Sequence, residues 1–77
     1  MSQEEQESPA ELARQLQEAT LAYERLAAQI VELMAKYEGQ SENMPQSAHD
    51  RYRALAAKRD EAYYQMKTME RLLFDDV

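Results

Sequence analysis

An unbroken alternation of four- and three-residue steps runs through the first half of the chain. Leu12, Leu16, Ala19, Tyr23, Leu26, Ile30, Leu33 and Tyr37 fall on it, and Ala13, Ala27 and Met34 widen it. Apolar residues repeating about every 3.5 positions share one face only if the chain is helical. The rhythm returns at Ala48, Tyr52, Leu55, Arg59, Ala62, Met66, Met69 and Leu73, flanked by Ala56 and Tyr63. Arg59 is the only charged residue on either seam. Two such seams predict two amphipathic helices and leave no room for an alternating strand pattern. Composition supports this reading. Ala, Glu, Leu, Arg and Lys supply 40 of the 77 residues, whereas only Thr20, Ile30, Val31, Thr68 and Val77 are β-branched. That balance favours helix and disfavours sheet.

Glycine and proline set the boundaries. In Ser8-Pro9-Ala10-Glu11, Ser8 can cap the free N–H groups of a first turn. Pro9 loses nothing at the first helical position, and Glu11 can close a capping box. Gly39, the single glycine, suits the positive φ that commonly follows a helix. Helix 1 is therefore expected over 9–38 and a polar loop over 39–46. Helix 2 is expected over 47–74, starting at Ser47 or as early as Pro45, with Ser47 and Asp50 as a weaker capping pair. The acidic segment 1–8 reads as a disordered or frayed tail. Residues 75–77 read as a frayed end, because Asp75 and Asp76 oppose a helix C-terminus electrostatically.

A short loop between two helices of similar length predicts an antiparallel hairpin. Pairing positions whose numbers sum to about 85 sets Leu33 against Tyr52, Ile30 against Leu55, Tyr23 against Ala62 and Leu12 against Leu73, with large residues facing small ones in the middle layers. Leu26 then faces Arg59, whose aliphatic stem can pack while its head reaches water. The expected fold is all-α, a coiled-coil-like antiparallel two-helix hairpin. A chain this small rarely buries enough on its own. Completion of a helical bundle, by self-association or with a partner, is therefore expected as well. The apolar residues left off the seams, Leu21, Val31, Tyr64, Leu72 and Phe74, are the candidate interface, with Ala28 and Ala35 beside them.

The chemistry that is missing narrows function further. There is no cysteine and one histidine, His49. Thiolate-metal sites, disulfides and paired-histidine metal sites are thereby excluded. One glycine cannot build a phosphate-cradling loop or a dinucleotide fingerprint. Asp60-Glu61 and Asp75-Asp76 are sequence neighbours, which point in different directions on a helix and form no natural acid/base pair. No cofactor, small-molecule substrate or catalytic activity is expected. No apolar run reaches the ~18 residues of a membrane span, and the acidic start does not read as a secretory signal. A cytoplasmic, membrane-independent protein is the expectation.

Arg51, Arg53, Lys58 and Arg59 concentrate four positive charges in helix 2. They are candidate electrostatic docking residues for an acidic protein surface. Used against phosphates, they would make the chain a nucleic-acid-associated hairpin, the alternative reading. The net charge of −6 weighs against that alternative. The leading expectation is a non-enzymatic protein–protein interaction module, a small adaptor, accessory subunit, chaperone or inhibitor that partners another protein, itself, or both.

Overall fold

The computed structural model describes residues 8–74. It is all-helical. Helix α1 spans Pro9–Ala35, helix α2 spans Gln46–Phe74, and a single 3-10 turn, Ser41–Asn43, lies between them. The helices pack side by side as an antiparallel hairpin and form a rod of 56 × 18 × 16 Å. Of the tail expected over 1–8, residues 1–7 lie outside the described residues, as does the frayed end expected over 75–77.

The start of α1 follows from its sequence. Ser8 adopts an extended backbone and its Oγ accepts from the Glu11 N–H at 3.1 Å, with Pro9 in the first turn. The capping box is only half made. The Glu11 carboxylate takes hydrogen bonds from Arg14 and Gln15.

The end of α1 corrects the expected boundary of 38. Regular helix stops at Ala35, because the bonding then tightens: the Lys36 N–H is shared between the Glu32 and Leu33 carbonyls, and the Tyr37 N–H bonds Met34 at 3.0 Å. The Gly39 N–H then reaches back to the Met34 carbonyl at 2.9 Å and the Glu38 N–H to Ala35 at 3.1 Å. This pair of bonds is the Schellman closure. It places two consecutive residues in the left-handed region, Glu38 at φ 58° and Gly39 at φ 75°. Glycine takes that conformation freely, and glutamate takes it at a cost.

Helix α2 begins at Gln46, between the two expected starts at Pro45 and Ser47. The Pro45 carbonyl accepts from both Ala48 and His49 at 3.0 Å. Ser47 is thus already inside the helix and is not its cap. Gln46 instead bonds Asp50 at 3.0 Å along the first turn.

The packing sets the two helices side by side along their length. The Tyr23 and Tyr63 rings lie 6.0 Å apart. Met34 shares a groove wall with Tyr52, and Ala19 shares one with Gln65 and Met69. The core is thin and uneven. Ile30, Leu33, Met44, Ala48 and Leu55 form one buried cluster beside the loop, with Leu26, Met34, Tyr37, Tyr52 and Ala56 packed against it. Away from the loop, only the alanines Ala19 and Ala62 are buried. No described side chain is fully buried. Met44 was hidden in a segment expected to be a polar loop. It folds back as a core residue and plugs the loop end of the hairpin. Among the described residues, no helix is long and apolar enough to cross a membrane.

Candidate protein-docking surface

All five residues expected at an interface are exposed: Leu21, Val31, Tyr64, Leu72 and Phe74. They do not form one surface. At about 100° per residue, Leu21 and Tyr64 each lie roughly 170° from the centre of their own seam, on the outer backs of the two helices. The hairpin therefore holds them on opposite sides of the rod. Val31 and Phe74 lie on a third side. Phe74 lines a groove with Tyr63, Lys67, Glu70 and Arg71, and Val31 lies three residues before Met34 on the flank that Met34 shares with Tyr23. Leu72 points to the side opposite Phe74. A scatter of single apolar residues is ordinary for a protein surface, whereas a contiguous set calls for explanation.

Several aromatic and apolar side chains do share one broad side. The Tyr23–Tyr63 pair marks it, with Tyr64 meeting the outer edge of Tyr63 at 5.8 Å and the Lys67 ammonium 5.6 Å from the Tyr63 ring centre. Met34 and Tyr52 lie on the same side, since each is eleven residues, close to three turns, from its tyrosine. Met34, Met44, His49, Tyr52 and Arg53 line an open groove of about 400 Å³ there. Tyr63, expected to widen the seam, is more than one-third exposed, at 39%. Heptad positions could have pointed to this side, because Tyr23, Met34, Tyr52 and Tyr63 all lean the same way from their seams. The loop residue Met44 gave no such signal.

The other broad side mixes polar and apolar residues and carries exposed Leu72. Gln15, Glu18, Ala19, Ala22, Gln65 and Met69 line one groove, and Gln29, Glu32, Leu33, Lys36 and Arg51 line a second.

The four candidate docking cations are dispersed around α2. Arg51 and Lys58, seven residues apart, face the side away from Tyr63. Arg53 sits on the tyrosine side toward the back, 3.9 Å from Asp50. Arg59 lies nearest the seam, with its side chain only 32% exposed and 3.4 Å from Asp60. Four charges spread over a helix circumference do not present one basic stripe.

No polar or charged residue is buried among the described residues. The clearest electrostatic feature is at the start of α1. Arg14 hydrogen-bonds Glu11 and, at 2.6 Å, Glu18. The hydrogen bond from Arg14, aided by one from Gln15, holds the Glu11 carboxyl below its ordinary value. Among the described residues, no group of three or more His, Cys, Asp or Glu side chains is placed to hold a metal ion. Compared with family models, curated proteins and solved structures, the chain matches none.

Proposed function

We propose that this hairpin is a non-enzymatic protein–protein interaction module whose helices supply a docking surface. One observation carries the reading. No described side chain is fully buried, yet Val31, Tyr63 and Phe74 remain exposed on the side where Tyr23, Met34 and Tyr52 also lie. A two-helix rod has spent its apolar residues on both a thin core and an outer surface. The exposed share is rich in tyrosine and phenylalanine, the side chains enriched at the centres of protein interfaces. The dispersal of Arg51, Arg53, Lys58 and Arg59 works against the nucleic-acid alternative, which needs cations aligned along a backbone.

Two measurements on the purified chain test this. Sedimentation across a wide concentration range, alone and with partners captured by crosslinking in the native host and then purified, should reveal stoichiometric association. Titration against labelled RNA and DNA should show no tight binding. Nucleic-acid affinity that falls steeply with salt, without any protein association, would overturn the reading.

A further inference from the structure

We infer that the groove at the loop end of the hairpin is a binding site for copper(I), held by the thioethers of Met34 and Met44 and the imidazole of His49. The inference rests on the donors of this one groove and does not depend on the interaction-module reading.

The donors come from three parts of the fold. Met34 lies in the last turn of α1, Met44 in the loop and His49 in the first turn of α2. The turn brings all three to one open groove of about 400 Å³, with Tyr52 and Arg53. Met34 packs against the buried cluster to which Met44 belongs. The His49 N–H bonds the Pro45 carbonyl at 3.0 Å, which ties the first turn of α2 to the residue after Met44.

The donor chemistry selects the ion. Thioether sulfur is soft and uncharged and favours copper(I), and imidazole suits copper as well. Zinc is held by thiolates, imidazoles and carboxylates, and calcium and magnesium by oxygens. The groove offers one imidazole and no carboxylate or thiolate. Absence of cysteine and of paired histidines therefore removes the usual divalent sites and leaves this one.

His49 is the observation that core packing does not explain. Filling the loop end accounts for Met44 and Met34, as any apolar residue of that size would. The His49 side chain is half-buried, yet it makes no hydrogen bond or ion pair with any described residue. Neither ring nitrogen is committed, so either is available to a metal. Arg53 is the one permanent cation lining the groove. Its side chain is mostly in water, with Nη1 3.9 Å from the Asp50 carboxylate, so its charge is offset and screened. Methionine is unbranched with three rotatable bonds, which lets both sulfurs turn onto an ion while the backbone stays in place.

The experiment uses the whole chain, with silver(I) nitrate in chloride-free buffer as a redox-inert probe of the same charge and softness. Calorimetry should show saturable binding of one ion per chain. The methyl resonances of Met34 and Met44 and the imidazole resonances of His49 should move together. Those of Met66 and Met69, a methionine pair on α2 away from this groove, should not. Met34→Leu, Met44→Leu and His49→Gln should each weaken binding on the order of tenfold or more, since loss of even an outer-shell partner of a metal ligand costs that much. Leucine conserves methionine's volume, and circular dichroism checks retained helicity. An ion held by both helices and the loop binds only the folded chain, so silver(I) should raise the unfolding midpoint of wild type and not that of His49→Gln. Copper(I), kept reduced by ascorbate without oxygen, should displace silver(I), and zinc should not. Failure of silver(I) to bind, full affinity in His49→Gln, or an equal loss in Met66→Leu or Met69→Leu overturns the site. Displacement of silver(I) by zinc but not by copper(I) overturns the choice of ion.

Discussion

Leu55→Ala should cost far more than Leu73→Ala, although both leucines occupy seam positions of α2. Leu55 is 7% exposed and belongs to the cluster of Ile30, Leu33, Met44 and Ala48. Truncating a buried leucine removes its transfer free energy and leaves a cavity, typically 2–5 kcal/mol together. The rod is thin, and half-buried Tyr52 and Met34 can move inward, so the lower part of that range applies, about 2–3 kcal/mol. Leu73 is half-buried near the open end, where there is no buried cluster. Its truncation should cost about 1 kcal/mol. A chain of this size has total stability on the order of 4–11 kcal/mol, so Leu55→Ala removes a large fraction of it. At ~4–8 °C per kcal/mol, its midpoint should fall by roughly 10–20 °C. The assay is urea and thermal unfolding followed by helical circular dichroism. Protein concentration must be held fixed, because association adds a mass-action term. Equal losses for the two variants would refute the loop-weighted core.

The turn offers a paired test of backbone strain. Glu38→Gly should stabilise by about 0.5–1 kcal/mol, and Gly39→Ala should destabilise by about 1 kcal/mol. The second loss is expected even though a Cβ at Gly39 meets nothing within 4 Å; unfolding midpoints of both variants check this. Arg59→Leu should raise stability by about 1 kcal/mol, because its solvent-facing pair with Asp60 is worth little and its side chain is only 32% exposed. A loss on urea unfolding would mean that the Asp60 contact matters. Glu11 should titrate below its ordinary 4.5, and nearer to it in Arg14→Gln. Because the folded state lowers that value, the stabilisation is present above the unfolded value and fades as pH falls through the folded one. A carboxyl titration by NMR reads the shift directly, and an unchanged Glu11 in Arg14→Gln would exclude Arg14 as its cause.

Much of the fold was legible because its rules are local and periodic. The two seams fixed the helices and their facing sides, and Ser8-Pro9 fixed one start. The boundaries that failed depend on hydrogen bonds that no spacing encodes. Gly39 correctly marked a left-handed turn, but the closure recruited Glu38 as well, and the regular helix ended three residues earlier than expected. Ser47 looked like a cap, yet the Pro45 carbonyl already accepts the first helical bonds. Met44 was missed for a different reason. A single apolar residue in a polar segment carries no periodicity, and only the folded turn reveals that it reaches Ile30 and Leu55. The candidate surface was legible residue by residue and not as a whole. Exposure of Leu21, Val31, Tyr64, Leu72 and Phe74 follows from their off-seam positions, but off-seam positions occupy most of a helix circumference. Which of them are neighbours depends on how the second helix is seated.

The small residues on the seams explain why so much apolar surface stays outside. Ala19, Ala48 and Ala62 are buried, and each lets the opposing helix approach closely while contributing only a methyl group. Larger residues in those layers would have widened the hairpin and deepened its core. With alanine there, the neighbouring tyrosines cannot fit between the helices. Tyr23 and Tyr63 must lean out of the seam, and their leaning to the same side brings their rings to 6.0 Å. A tyrosine in this position buries one face of its ring against the hairpin and offers the other outward, with a hydroxyl able to reach water or a partner. The loose core and the aromatic side therefore have one cause, the placement of alanines between the helices. Replacing Ala62 with leucine should expose the link, because overpacking a closely approached layer costs about 1–3 kcal/mol and should push the Tyr23 and Tyr63 rings apart. Loss of nuclear Overhauser contacts between the two rings, together with a lower unfolding midpoint, is the expected result. A more stable hairpin with the ring contacts intact would mean that the layer has room to spare and that the tyrosines lean outward for some other reason.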